Sequence, residues 1–463
     1  MRFANNSPYF LCACIIHMMN VYMDSTPNEH HQITPIALTN WRDIRKKFGI
    51  KEKNRRGHMY IVGKTGTGKS SLLANMAISD IKQGNGIAVI DPHGDLAETL
   101  LSHIPEHRAH DVIYFNPSDI EYPIAFNPLT PSSPDIHYLV VSGLISVFRK
   151  LYSEFWGPRL EHILRHSFYT LLEYPGGTLL DIPNLLTDEA FRKQVLTHVT
   201  HLGVREFWFK EFAKYSAWLR SEAIAPILNK MSQFLTNLPL RNIVGQAQTS
   251  FKFREIMDQG KILIVNLSKG KIGEDNSTLL GSMITTMIFL AAMSRANTSE
   301  ERRRPFYFYV DEFHNFLTLS FANILSEARK YGLNLVFAHQ YIRQLPEQIR
   351  DAVFGNVGTM ITFRVGIDDA QYLKKEFFPP FDEIDLMNLP NYHLYIKLMI
   401  NGITSSPFSG TTMSIPHLSE SIRAAIIQES RLKYSRSRAQ VEKEIHLRNN
   451  VQAPEADGQK RLF

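Results

Sequence analysis

The chain has little cysteine: among 463 residues only Cys12 and Cys14, both in one apolar stretch near the start. A disulfide framework is excluded and a reducing compartment is expected. Together with His17 the pair offers three metal-ligating side chains, but no second ligand pair follows at zinc-site spacing, so no structural zinc is expected. Long apolar runs are scarce as well. Tyr9–Met19 falls far short of the roughly 20 residues that span a bilayer, and Arg2 alone is a poor start for an export signal. We read residues 1–32 as disordered or as a misassigned start, with Met18, Met19 or Met23 the true one, and we expect no stable membrane span. No internal repeat is present. The formal charge of +6 is a mild basic bias that favours an anionic partner without identifying it.

What is present centres on Gly63-Lys64-Thr65-Gly66-Thr67-Gly68-Lys69-Ser70-Ser71. An apolar strand, Met59–Val62, leads into it, and a helix over Ser70–Lys82 follows, with Leu72, Leu73, Met76 and Ile81 at helical spacing. Glycines let successive N–H groups curl around a β-phosphate, and the helix start points its positive end at the same anion. Lys69 is placed to reach the β- and γ-phosphates and Ser70 to bind Mg²⁺. Absences narrow the class. Asn229-Lys230-Met231-Ser232 lacks the aspartate that recognises guanine, and no second glycine-rich serine signature of transporter ATPases follows the loop.

Apolar strands alternate with helices from Met59 to Asn127, and strand patterns resume at Lys261–Leu267, Phe306–Val310, Leu333–Ala338, Met360–Phe363 and His393–Leu398. The reading is a mainly parallel α/β sheet covered on both faces. Its core occupies 33–130 and 256–415, interrupted by an all-α insertion over 131–255 and followed by a charged helical or disordered tail, 416–463. Within the insertion, helices are expected over Tyr138–Leu151 and Leu160–Leu172, and another with Thr187 as its N-cap. Its dense aromatics, among them Phe207, Trp208, Phe209 and Trp218, read as helix packing, with base stacking the minority alternative. The basic run from Arg42 to Arg56 is either a solvated lead-in or a contact for nucleic acid phosphates.

The strand Phe306–Val310 delivers Asp311-Glu312 at its carboxyl end, the edge where parallel sheets bind ligands. Asp311 would hold Mg²⁺ and Glu312 would orient or deprotonate an attacking water. Gln340, at the end of the next core strand, is placed to sense the γ-phosphate, unless it is only a solvent-facing terminus. Asp91 ends a further strand on this edge and either acts through Mg²⁺ or water or caps the following helix, where Asp95 resembles the N-cap. A transition-state cation is still needed; Arg329 and Arg364 are the candidates.

Taken together, Tyr60–Ser71, Asp91-Pro92-His93-Gly94-Asp95, Val310-Asp311-Glu312-Phe313, Glu327–Gly332 with His339-Gln340, and Asn356–Phe377 resemble the FtsK–HerA superfamily of P-loop ATPases. The likeness is greatest to the TraD/TraG-like coupling proteins of conjugation and type IV secretion, and covers roughly residues 33–415. It implies a RecA-like fold, ATP and Mg²⁺ as cofactors, a homo-hexameric ring and ATP-driven DNA translocation, with a secretion-channel or relaxase-type protein partner. It also implies nucleotide and catalytic roles for Lys69, Ser70, Asp311, Glu312 and Gln340, and makes Arg329 the trans-acting arginine. Membrane-anchored coupling proteins begin with transmembrane helices and none is recognised here, so a cytoplasmic protein is expected, with a peripheral seat at the inner face of the membrane as the variant. Two alternatives stay open: a protein-export or pilus-assembly ATPase of the same superfamily, and a nucleotide-switched DNA-binding scaffold with little hydrolysis.

Overall fold

The structure is a computed structural model that describes residues 33–40, 44–130, 134–318, 321–416 and 422–451. The readings placed on Tyr9–Met19, Cys12, Cys14, His17 and Arg42 lie outside the described residues.

Two strands lead in, β1 (Ile33–Thr39) and β2 (Lys47–Lys51), followed by a helical turn, Glu52–Arg55. The core then runs through β3 (Met59–Val62), α1 (Lys69–Lys82), β4 (Gly86–Asp91), α2 (Asp95–Ser102) and β5 (Val112–Phe115). After the insertion come β6 (Ile262–Asn266), β7 (Phe306–Val310), β8 (Leu333–His339), β9 (Thr359–Thr362) and β10 (His393–Lys397). A small separate hairpin, β11 (Met399–Ile400) with β12 (Ile403–Thr404), precedes β13 (Phe408–Thr412). One eleven-stranded sheet results, ordered β2-β1-β13-β10-β9-β3-β8-β7-β4-β6-β5. From β5 to β9 all neighbours are parallel; from β9 to β2 all are antiparallel. The expected fold class, α/β with a RecA-like parallel core and an all-α insertion, is the one observed.

Burial on both faces explains why the parallel strands are apolar throughout. In β7, Phe306, Phe308 and Val310 enter the core shared with the insertion, whereas Tyr307 and Tyr309 enter the core beneath α1. The strands of this sheet missing from the sequence reading, β1, β2 and β13, all lie in its antiparallel part; the β11–β12 hairpin is missing from it too. Pro35 and a bulge between Pro35 and Ala37 interrupt β1, and β2 and β13 carry lysine, glycine, serine and threonine in place of an apolar run.

Between β5 and β6 the described residues hold helices and no strand. The principal ones are α3 (His137–Leu151), α4 (Pro158–Glu173), α5 (Asp181–Thr187), α6 (Glu189–Leu196), α7 (Ala217–Leu235) and α8 (Leu238–Val244). Asp188 caps α6, accepting from the N–H groups of Ala190 and Phe191, which corrects the expected Thr187 cap by one residue. Similarly, Asp95 is the first residue of α2 and Gly94 its cap, in the left-handed region. Phe207, Trp208 and Phe212 pack on one another in the core, as the packing reading requires; Phe209 and Trp218 are exposed.

Helix α9 (Glu274–Met293) is an exception to the scarcity of long apolar runs. Residues Glu274–Asn297 are long and apolar enough to cross a membrane, but 78% of their most apolar window is buried inside the fold. The tail forms α10 (Arg423–Tyr434) and α11 (Arg438–Val451). Ser430 Oγ accepts from Tyr114 N at 2.9 Å, covering the edge strand β5, and Glu442 accepts from Asn242 of α8 at 3.2 Å. These contacts tie the tail to both core and insertion, and blunt an open sheet edge.

Candidate nucleotide site

The loop between β3 and α1 sits at the carboxyl end of the parallel strands. Gly66 and Gly68 adopt φ of 76° and 119°, values that a side chain would strain, and a Cβ on Gly63 would meet Phe363 Cβ at 2.6 Å. Neighbours hold the loop from both sides. Lys64 N donates to Arg364 O at 2.8 Å, Gly63 N to His339 O at 3.3 Å, and Tyr392 N to Thr67 O at 2.7 Å. Thr67 is buried and its hydroxyl donates to Lys64 O. Lys64, Thr65, Gly66 and Ser70 are exposed at the mouth, and Ser71 is half-buried.

Lys69 is buried, and its ammonium donates to Gly63 O at 2.7 Å and Lys64 O at 3.2 Å. Burial pulls its pKa below the usual lysine value, against the opposing charges of Glu312 and Asp311. Ser70 Oγ donates to Asp311 Oδ2 at 3.0 Å, so the loop and the acidic pair, 241 positions apart in the chain, meet directly. Asp311 is 4% exposed, and its pKa is pushed up to about 6, first by burial and then by the charges of Glu312 and Asp91.

Glu312 has a left-handed backbone, φ 44° and ψ 49°, rare for a side chain of this type and costing on the order of 1–3 kcal/mol. Its Oε1 accepts from Gln340 Nε2 at 2.8 Å. Its Oε2 is buried without a partner, 3.6 Å from His314 Nδ1, which also lacks one. A buried carboxylate oxygen left unpaired costs stability and marks a place where another group is received.

Asp91 is buried on the same edge, but both its oxygens are engaged: Oδ1 accepts from His93 N at 2.8 Å and Oδ2 from Ala97 N at 2.9 Å. The capping alternative is the one this geometry shows. Arg364 lies beside the loop with its guanidinium committed to Leu389 O and Asn391 Oδ1. Arg329 is elsewhere. It sits exposed in a turn leading into β8, at the opposite end of that strand from Gln340, beside Arg56, Arg303 and Lys330. The basic run is not a single face either: Arg55 is fully buried in an ion pair with Asp80.

The sequence reading did not find the Glu312–Gln340 hydrogen bond, nor the parts of His314 and Asn315. The two residues follow Asp311-Glu312 after a single phenylalanine, Phe313, which was the available signal.

The family model of the type IV secretion-system coupling protein DNA-binding domain matches residues 46–377. The type 4 coupling protein DotL of Legionella pneumophila is 22% identical over 363 residues, covering 65% of this chain and 46% of DotL; the chain thus spans about half the length of that relative. Among solved structures, the bacterial conjugative coupling protein TrwB in an unbound form aligns with a TM-score of 0.57 at 16% identity, over 84% of this chain and 91% of TrwB. TrwB in complex with ADP and Mg²⁺ gives 0.58 at 16% identity, over 84% and 92%. VirB4 of Thermoanaerobacter pseudethanolicus gives 0.51 at 14% identity, over 82% and 96%. Identities this low speak for a shared fold. The family model, by contrast, covers most of the chain, and this chain belongs to the type IV secretion-system coupling proteins, in the part described as their DNA-binding domain.

Proposed function

We propose that the chain is an ATP-hydrolysing DNA translocase, working as a homo-hexamer and coupling DNA to a type IV-like secretion apparatus from the cytoplasmic side. The observation that supports this reading most is the Ser70–Asp311 hydrogen bond beside Glu312–Gln340, which brings the phosphate loop and the acidic pair together on one sheet edge. The residues fit ATP and Mg²⁺. Asp311 is a carboxylate pushed towards protonation first by burial and then by the charges of Glu312 and Asp91, and a divalent cation held by Asp311 and Ser70 would oppose that shift. When bound, Mg²⁺ neutralises charge on the β- and γ-phosphoryl oxygens. Lys69 binds and orients the phosphates. Glu312 takes the proton of the attacking water, with Gln340 fixing the carboxylate that receives it.

Arg329 is assigned a role in trans. It stands a seven-residue strand away from Gln340, about 23 Å, too far to serve its own site, which supports a role at the site of a neighbouring subunit. Mixing Arg329→Ala with Lys69→Ala subunits should restore part of the turnover that each lacks alone. No recovery at any ratio would remove the assignment.

The reading itself is tested by steady-state ATP hydrolysis with and without DNA across a salt titration. A DNA stimulation that fades with salt is expected, because basic residues gripping phosphates release counterions. Turnover indifferent to DNA would move the reading to a protein-export or assembly motor.

A further inference from the structure

The turn that carries Glu312 is strapped from the insertion. Lys150, the penultimate residue of α3, extends its ammonium onto the carbonyls of His314 at 3.1 Å and Asn315 at 2.6 Å. Asn315 in turn donates from Nδ2 to Glu312 O at 2.9 Å, and its Oδ1 accepts from Lys269 Nζ at 3.0 Å. Strained backbone persists only where its surroundings over-determine it, and these are the groups that hold the left-handed Glu312. Helix α3 is also wedged between the two parts of the molecule. Its Gly143 lies so close to α9 that a Cβ there would meet Thr286 Cγ2 at 2.5 Å, while its Phe148 packs on Phe168 of α4 with ring centroids 5.5 Å apart. Burial and the charge of Lys269 pull the Lys150 ammonium down to about 7, the mark of a cation kept in a costly place.

We propose that Lys150 is a positioning residue through which the helical insertion sets the posture of Glu312, and with it the rate of hydrolysis. The inference rests on reading Asp311-Glu312 as the hydrolytic pair. A shift of α3, such as a ligand on the insertion would impose, moves the ammonium and loosens the turn; Lys69 and the phosphate loop are held by the carbonyls of Gly63, Lys64, Arg364 and His339, none of them part of the strap, and keep those contacts. The arrangement gives the insertion a lever on kcat and none on nucleotide affinity.

The test is Lys150→Met in the full chain, which removes the donor and keeps the bulk. The expected result is unchanged affinity for a fluorescent ATP analogue, kcat lowered about 10- to 100-fold, and faster hydrogen–deuterium exchange of the amides from Phe313 to Phe316. Wild-type kcat and exchange would overturn the proposal. So would a parallel loss of affinity, kcat and thermal midpoint, which would mark a general packing role. Should Lys150→Met not fold, Asn315→Ala cuts the same strap from the turn side and must give the same split between kcat and affinity. Lys69→Ala separates the two readings: wild-type hydrolysis there would remove the site assignment, while the exchange measurement would still decide whether Lys150 holds the turn.

Discussion

Helix α1 and strand β7 meet twice through buried charge, and the two meetings are built on opposite plans. Near the end of α1, Asp80 accepts from Arg55 Nη1 at 2.6 Å, Tyr309 OH at 2.5 Å and Thr34 Oγ1 at 3.0 Å, while the guanidinium lies 3.7 Å from the centre of the Tyr307 ring. Both charged side chains are wholly buried, the charges cancel, and of this set only Arg55 Nε lacks a partner. Burial works against the Arg55 charge, but Asp80, Tyr309 and Tyr307 together outweigh it and hold the pKa above its ordinary value. At the start of α1, Asp311 and Glu312 face the single Lys69 ammonium, and Glu312 Oε2 has no partner. A closed network rigidifies. An open one pays desolvation without compensation, and that deficit is what a nucleotide and its cation would fill.

The largest effect expected from breaking this contrast is at the open cluster. Glu312→Gln keeps the size and the contact to Gln340 but cannot accept a proton, so kcat should fall about 10²- to 10⁴-fold with ATP still bound. Single-turnover hydrolysis beside equilibrium binding measures both; wild-type turnover would place the base on another residue. The closed cluster should answer in stability. Arg55→Met strands the Asp80 charge in the core, which costs about 3–5 kcal/mol, and the urea midpoint should drop while kcat per folded molecule changes little. If kcat fell without a loss of stability, the Arg55 network would belong to the catalytic apparatus after all.

The two clusters also differ in how far the sequence discloses them. Asp311-Glu312 could be read because a buried apolar strand ending in two acids is unusual beside a phosphate loop, and both motifs are local. Nothing local marks Arg55, which sits in a basic run and looks solvated until the chain folds its guanidinium under Tyr307. Lys150 hides for the same reason: its carbonyl partners lie 164 and 165 positions away, and α3 shows only an ordinary amphipathic pattern. The parallel strands were legible because burial on both faces makes them uniformly apolar. Strands β1, β2 and β13 were not, since at the antiparallel end the pattern is diluted by proline, glycine and hydroxyl residues. Cap positions slipped by one residue twice: Asp188 rather than its neighbour Thr187 takes the amides of α6, and α2 starts from Gly94, whose left-handed backbone rather than a side chain turns the chain into the helix.

The sharpest test of openness is titration of Asp311 itself. Its pKa in the folded chain is raised from 3.8 to about 6, chiefly by burial. Between those values the unfolded chain has given up the proton while the folded chain keeps it, so each step up in pH favours unfolding. Above about 6 both states are ionised and the penalty is complete, about 3 kcal/mol at most. Asp311→Asn carries no such titration. Denaturation midpoints of the two proteins from about pH 4 to 7 should therefore diverge, the asparagine variant gaining on the wild type through the window and holding a constant lead above it. Millimolar Mg²⁺ with a nucleotide should close that lead from the wild-type side, since the bound cation favours the ionised carboxylate. A lead that did not vary with pH would mean that the Asp311 charge is already compensated in the folded chain, and the acidic cluster would then be as closed as the one around Arg55.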